Sequence, residues 1–137
     1  MLDDDRALRE LLRTCRTVAV VGAKDRPGAP VDGVGRYLLD VGFTVYPVHP
    51  ARKTVWGLTA YPSLADVPGP IDIVVLFRAP QHCPDHAREA VALVPPPRIF
   101  WMQSGISSPE AASILAGMPV HVVSDRCLMV EHRRLLA

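Results

Sequence analysis

Residues 125–132, Asp-Arg-Cys-Leu-Met-Val-Glu-His, gather the most reactive side-chain types of the chain. Cys127 falls at an expected helix N-terminus beside Arg126, and both features favour a thiolate. Such a thiol would suit a nucleophile, or a mixed disulfide with a thiol-bearing ligand. The plainer reading is a small buried packing residue, with Asp125 capping the helix. Cys127 and Glu131 share a helix face one turn apart, whereas Glu131 and His132 point in different directions. No catalytic triad follows. His121 and His132 lack the spacing of metal ligands and read as structural or exposed.

The other chemistry on offer is anion binding. Residues 17–28, Thr-Val-Ala-Val-Val-Gly-Ala-Lys-Asp-Arg-Pro-Gly, pass from a β-branched run into a polar turn and then a helix start. A βα turn of this kind offers backbone N–H groups and a helix dipole to a phosphate. Lys24 and Arg26, with Asp25 between them, would neutralise a pyrophosphate beside the Gly22 and Ala23 amides. The alternative is surface charge in a mobile loop. The pattern is not Gly-x-Gly-x-x-Gly, and no acid stands where an NAD site holds its ribose. That place reads Pro47-Val-His49-Pro50, followed by Arg52 and Lys53. A cationic pair suits an additional phosphate on an adenosine ribose, as in NADP or coenzyme A, and it equally suits an ordinary solvated loop. No Gly-Lys-Ser/Thr is present, which disfavours nucleotide hydrolysis.

Two further loops carry candidate ligand groups. Phe77-Arg78-Ala-Pro80 puts an arginine directly after an apolar strand, to meet a phosphate or to pair with Asp25 or Asp85. In Trp101-Met102-Gln103-Ser104-Gly105, the two polar side chains and the Gly105 amide would hydrogen-bond a polar chain such as pantetheine. Trp101 itself reads as core.

Elements that would position these residues alternate along the chain. Helices are expected at 3–14, capped by Asp3 or Asp4, and at about 32–41, 81–93, 108–116 and 125–135. Strands are expected at 17–21, 43–48, 71–77, 98–102 and 120–123. A capped helical turn is expected near Ser63. Alternation of this kind makes a parallel sheet with right-handed crossovers and helices on both faces. Ligands of such sheets bind beyond the carboxyl ends of the strands. That rule selects the loops 22–31, 48–56, 77–81, 102–108 and 124–127.

Composition narrows the field. A chain of 137 residues suits one domain, spanning 1–137, and 49% hydrophobic against 21% charged residues argues against disorder. The net charge of +1 gives no global field to recruit nucleic acid. No apolar run approaches membrane-spanning length. The acidic start, Met1-Leu-Asp-Asp-Asp5, is unlike a signal peptide and points to the cytoplasm. Three cysteines without C-x-x-C spacing form neither a disulfide framework nor a structural zinc site.

Six segments together resemble a known family. They are Ala19-Val-Val-Gly-Ala23, Tyr46-Pro-Val-His-Pro50, Tyr61-Pro-Ser-Leu-Ala-Asp66, Val75-Leu-Phe-Arg78, Trp101-Met-Gln-Ser-Gly-Ile106 and Asp125-Arg-Cys-Leu-Met-Val-Glu-His132. In this order they resemble the small single-domain CoA-binding proteins and the N-terminal CoA-binding domain of the succinyl-CoA synthetase α subunit. The resemblance implies an α/β fold, a Rossmann-like three-layer sandwich with five parallel strands in the order 3-2-1-4-5. It implies coenzyme A or an acyl-CoA as ligand. By motif, the contacts fall on Gly22, Ala23, Lys24 and Asp25, on His49, Pro50 and Arg52, and on Met102, Gln103 and Ser104. His49 replaces the synthetase asparagine, Arg52 matches a lysine, and the acid of the fourth-strand segment is absent. The second domain with its phosphohistidine and the ATP-grasp partner have no counterpart in this sequence, so a stand-alone ligase is not expected. The implied function is CoA binding without catalysis; the alternative is an NADP-dependent reductase or a thiol-redox enzyme using Cys127.

Overall fold

The computed structural model describes residues 4–136. The chain runs α1 (Asp5–Thr14), β1 (Thr17–Val21), α2 (Pro30–Asp40), β2 (Thr44–Val48), β3 (Thr54–Val55) and β4 (Leu58–Thr59). It continues with β5 (Ile73–Leu76), α3 (Cys83–Val91), β6 (Ile99–Met102), α4 (Pro109–Leu115), β7 (His121–Val123) and α5 (Leu128–Leu136). Short 3₁₀ turns cover Leu64–Asp66 and Pro80–His82.

Local chemistry sets several of these boundaries. Asp4 caps α1, its carboxylate accepting from the Arg6 amide at 2.8 Å. Asp3, the other candidate cap, lies outside the described residues. Pro30 occupies the first turn of α2 and starts that helix two residues before the expected position, because its missing N–H and fixed φ suit a helix start. Ser108 caps α4 through its Oγ, which accepts from the Ala111 amide at 3.1 Å. Ser63 does not cap the turn after it; its hydroxyl donates to Asp66 instead, at 2.8 Å.

Five strands form a parallel sheet in the order β2-β1-β5-β6-β7. Side chains alternate between its faces. Val18, Val20, Ile73, Val75, Ile99 and Trp101 pack in one core with Leu8 and Leu12 of α1, Leu38 of α2 and Leu128 of α5. Ala19, Val21, Val74, Leu76, Phe100 and Met102 pack in a second core with Ala87 of α3 and Leu115 of α4. The result is the expected Rossmann-like three-layer α/β sandwich. Trp101 is wholly buried, as its strand position requires.

The strand order corrects one expectation. Counting the five sheet strands along the chain, the order is 2-1-3-4-5, not 3-2-1-4-5. Pro47 gives the reason. Its carbonyl accepts from the Tyr61 amide on the side of β2 that faces away from β1, and its own nitrogen, on the same side, has no hydrogen to donate. Such a strand belongs at an edge. Among the described residues only Tyr61 bridges to that side, at Val48, and the next full strand, β5, enters on the other flank of β1. Successive strands are therefore added on opposite sides of β1, β2 on one and β5 on the other, and that is where the site opens.

Candidate functional site

Val21 pairs with Val48 and with Leu76, and Leu76 with Met102. The strands thus end level, and the loops after them meet along one edge. Gly22 turns the chain there at φ +85°, and a Cβ on it would lie 2.6 Å from the Phe77 carbonyl oxygen. Only glycine allows the first loop to cross so close over the start of the third.

The Gly22 and Ala23 amides both donate to the Val48 carbonyl, at 3.0 and 3.2 Å. Those donors hold the first loop to β2. The next two amides, of Lys24 and Asp25, have no protein partner among the described residues. Ala23 is buried, Lys24 is half-buried, and Arg26 is exposed at the rim.

The second loop is built around His49. Its Nδ1 accepts from the amides of Ala51 and Arg52, both at 3.0 Å. Burial lowers the His49 pKa, and the cations of Arg52, Arg78 and Lys24 lower it further. Arg52 reaches back to Asp25 at 3.0 Å, and the other Asp25 oxygen accepts from the Trp56 amide at 3.2 Å. Lys53 is exposed. Pro50 borders a smaller cavity of about 160 Å³ that it shares with Arg78 and with the His86–Glu89 pair.

Residues 54–59 form a two-stranded hairpin where the sequence suggested only loop. Its turn is Trp56-Gly57, both at positive φ, 54° and 73°. The Trp56 indole donates to Asp32 at 2.9 Å, and its ring rests on Gly35 of α2. This indole, and then Arg36, holds the Asp32 carboxyl below its ordinary pKa.

Arg78 pairs with neither Asp25 nor Asp85, correcting that expectation. Asp25 is taken by Arg52 and Asp85 by Arg88, at 2.8 Å. The Nε of Arg78 is fully buried with no hydrogen-bond partner among the described residues.

In the fourth loop Met102 is core, Gln103 is 4% exposed, and Ser104 and Gly105 are at the surface. Gln103 Oε1 accepts from the Leu128 amide at 2.7 Å. The start of α5 is thus held by a side chain from another loop, not by Asp125. The Asp125 carboxylate instead accepts from the Gly105 amide at 2.6 Å, and Asp125 itself sits at φ +55°. Cys127 precedes α5 and is half-buried.

Between these loops lies a cavity of about 580 Å³. The expected residues on its wall are Gly22, Lys24, Phe77, Arg78, Gln103, Ser104 and Cys127. Asp25, Arg26, His49, Pro50, Arg52, Lys53 and Gly105 do not line it, nor do the core residues Ala23 and Met102. Ala29, Pro30, Val31, Ala79 and Ile106, within the selected loops but not singled out there, give the cavity an apolar wall, and Val34 and Met129, outside those loops, complete it. Val31 and Val34 reach the cavity from the first turns of α2. Lys24 and Arg78 put two cations on a cavity whose other lining is largely apolar. Among the described residues no cluster of His, Cys, Asp and Glu could hold a metal ion. No helix is long and apolar enough to cross a membrane.

Residues 16–133 match the family described as CoA binding domain. The chain belongs to this family. Individual proteins and structures are also similar to it. YneT, an uncharacterized protein of Bacillus subtilis, is 34% identical over 125 residues, 91% of each chain. A Thermus thermophilus structure superposes with a TM-score of 0.91 at 42% identity, covering 98% of this chain and 100% of the other. A 63-residue segment is 40% identical to the ADP-forming 4-hydroxybutyrate–CoA ligase of Nitrosopumilus maritimus, spanning 44% of this chain and 9% of the ligase.

Proposed function

We propose that the protein binds coenzyme A or an acyl-CoA in the 580 Å³ cavity without catalysing a reaction on it. The observation that carries this reading is Arg78. Its side chain lines the cavity together with Lys24, and among the described residues no carboxylate pairs with either cation. The Arg78 guanidinium and the Lys24 ammonium would together meet an anionic ligand there. Lys24, Arg78 and the amides of Lys24 and Asp25 would face the pyrophosphate. Arg52, with Lys53 beside it, would meet the 3′-phosphate from outside the cavity. The pantetheine arm would lie along Val31, Val34 and Ile106 toward Gln103 and Ser104. The cytoplasm, where CoA is abundant, is the compartment this reading requires.

Titration calorimetry against CoA, dephospho-CoA, NAD and NADP tests the proposal. CoA should bind most tightly. Equal or tighter binding of NAD or NADP would overturn it and return the dinucleotide reading.

A further inference from the structure

Cys127 lies on the wall of the same cavity, as does Gln103, which is hydrogen-bonded to the amide of the residue after it. Gln103 is nine-tenths buried, and its Oε1 is committed to the amide of Leu128, the residue after Cys127. The Nε2 donor of Gln103 has no partner among the described residues, yet it is not sealed from the cavity as Arg78 Nε is sealed in protein. A donor so placed asks for an acceptor from the occupant. The pantetheine arm carries amide carbonyls and ends in a thiol. An arm hydrogen-bonded to Gln103 brings that sulfur to the neighbourhood of Cys127.

We propose that Cys127 is a site of reversible thiolation by CoA, an inference that rests on the CoA-binding reading. The Cys127 thiolate attacks one sulfur of a CoA disulfide. The Cys127–CoA S–S bond forms as the CoA–CoA S–S bond breaks, and the second CoA leaves as a thiolate that takes a proton from solvent. Cys127 is oxidised, one CoA is reduced, and no other oxidant is consumed. Attack by a free CoA thiol runs the step backwards. The other two thiols are poor competitors. Both are buried, and burial pushes Cys15 up to about 11 and raises Cys83 as well.

The test treats the intact protein with CoA disulfide or with glutathione disulfide and maps the adducts by mass spectrometry, with CoA calorimetry in parallel. The expected result is one CoA on Cys127, removed by dithiothreitol. Binding in the cavity should make it form about tenfold or more faster than the glutathione adduct, through orientation. Desulfo-CoA, which fills the site without a thiol, should slow it. Equal rates for the two disulfides, or modification at Cys15 or Cys83, would overturn the inference. So would an unreactive Cys127 in protein that calorimetry shows to bind CoA, which leaves the binding reading intact. Absence of CoA binding overturns both.

Discussion

The Arg52 guanidinium pairs with the Asp25 carboxylate at 3.0 Å, across 27 residues of sequence. The pair ties the loop after β1 to the loop after β2 and keeps a cation at the mouth of the site. Both side chains are more than a third exposed, so the pair adds little stability, about 0.2–1 kcal/mol. Its value is positional. If Arg52 holds the 3′-phosphate, CoA should bind more tightly than dephospho-CoA by about 1.5–3 kcal/mol, the scale of charge-assisted hydrogen bonds. Arg52→Ala should erase that difference while leaving the melting temperature nearly unchanged. A difference that survives in Arg52→Ala would move the 3′-phosphate elsewhere.

Arg78 should behave in the opposite way from most buried residues. Its Nε is unsatisfied in the free protein, so Arg78→Ala should be close to neutral for stability. The same change should weaken CoA binding by about 1.5–3 kcal/mol. Denaturant midpoints and calorimetry on one preparation measure both. A destabilised variant with unchanged affinity would make Arg78 a structural residue.

Two glycines of α2 should respond to alanine with opposite signs. A Cβ on Gly33 meets nothing within 4 Å, so Gly33→Ala should stabilise by about 0.5–1 kcal/mol through helix propensity. A Cβ on Gly35 runs into the Trp56 ring, which Asp32 holds in place. Gly35→Ala should therefore destabilise, by about 1–3 kcal/mol, as overpacking does. Urea titrations of the two variants decide; the same sign for both would mean that the ring moves freely.

Gln103 joins the fourth loop to α5. Gln103→Leu leaves the Leu128 amide without its acceptor and should cost about 1–3 kcal/mol. Gln103→Glu keeps an acceptor and should recover most of the loss. Chemical denaturation of both checks this, and equal losses would show that the hydrogen bond is not what matters there.

Stability should fall in mild acid. His132 Nδ1 lies 2.6 Å from the Tyr37 hydroxyl, and burial lowers its pKa below the ordinary 6.5. His49 is shifted the same way. The unfolded chain then takes up protons at a higher pH than the folded one, so acid favours unfolding. The contribution is complete above 6.5 and is lost as pH falls through 6.5 toward the folded pKa. Asp5, Glu10 and Asp32 are also lowered, but they act below the ordinary carboxylate range and leave this window to the histidines. Urea midpoints taken on either side of 6.5 should show the decline, and His132→Gln should flatten it. An unchanged slope would remove His132 as its source.

What could be read from the sequence divides along physical lines. The sheet strands announce themselves because burial on both faces leaves them continuously apolar, as in Ile73–Leu76 and Ile99–Met102. The first helix announces itself through Asp4, whereas the start of α2 at Pro30 lies two residues before the apolar pattern that suggested it. Strand order was also written in the chain, in Pro47, but one residue's missing N–H is easily lost inside an apolar run. The hairpin of β3 and β4 was not legible. Its turn needs positive φ at two positions, ordinarily an Asn-Gly signal, and here Trp56 takes the first. Only tertiary contacts with Gly35, Asp32 and Asp25 make that conformation tolerable. The site was legible as a set of loops and illegible as a set of contacts. Nothing local in the sequence tells that Val48 claims the Gly22 amide, that Asp25 chooses Arg52, or that Gln103 holds Leu128.

The proline in β2 also bears on how copies of this chain can meet. Pro47 and the bridging Tyr61 blunt one margin of the sheet, since no incoming backbone finds a regular row of donors there. The opposite margin is β7, only three residues long. Neither flank is a good template for strand addition, so assembly by a continuous intermolecular sheet, ordered or amyloid-like, is discouraged at both ends. Self-association would have to use helix surfaces, leaving the carboxyl edge of the sheet, and whatever it holds, open to exchange.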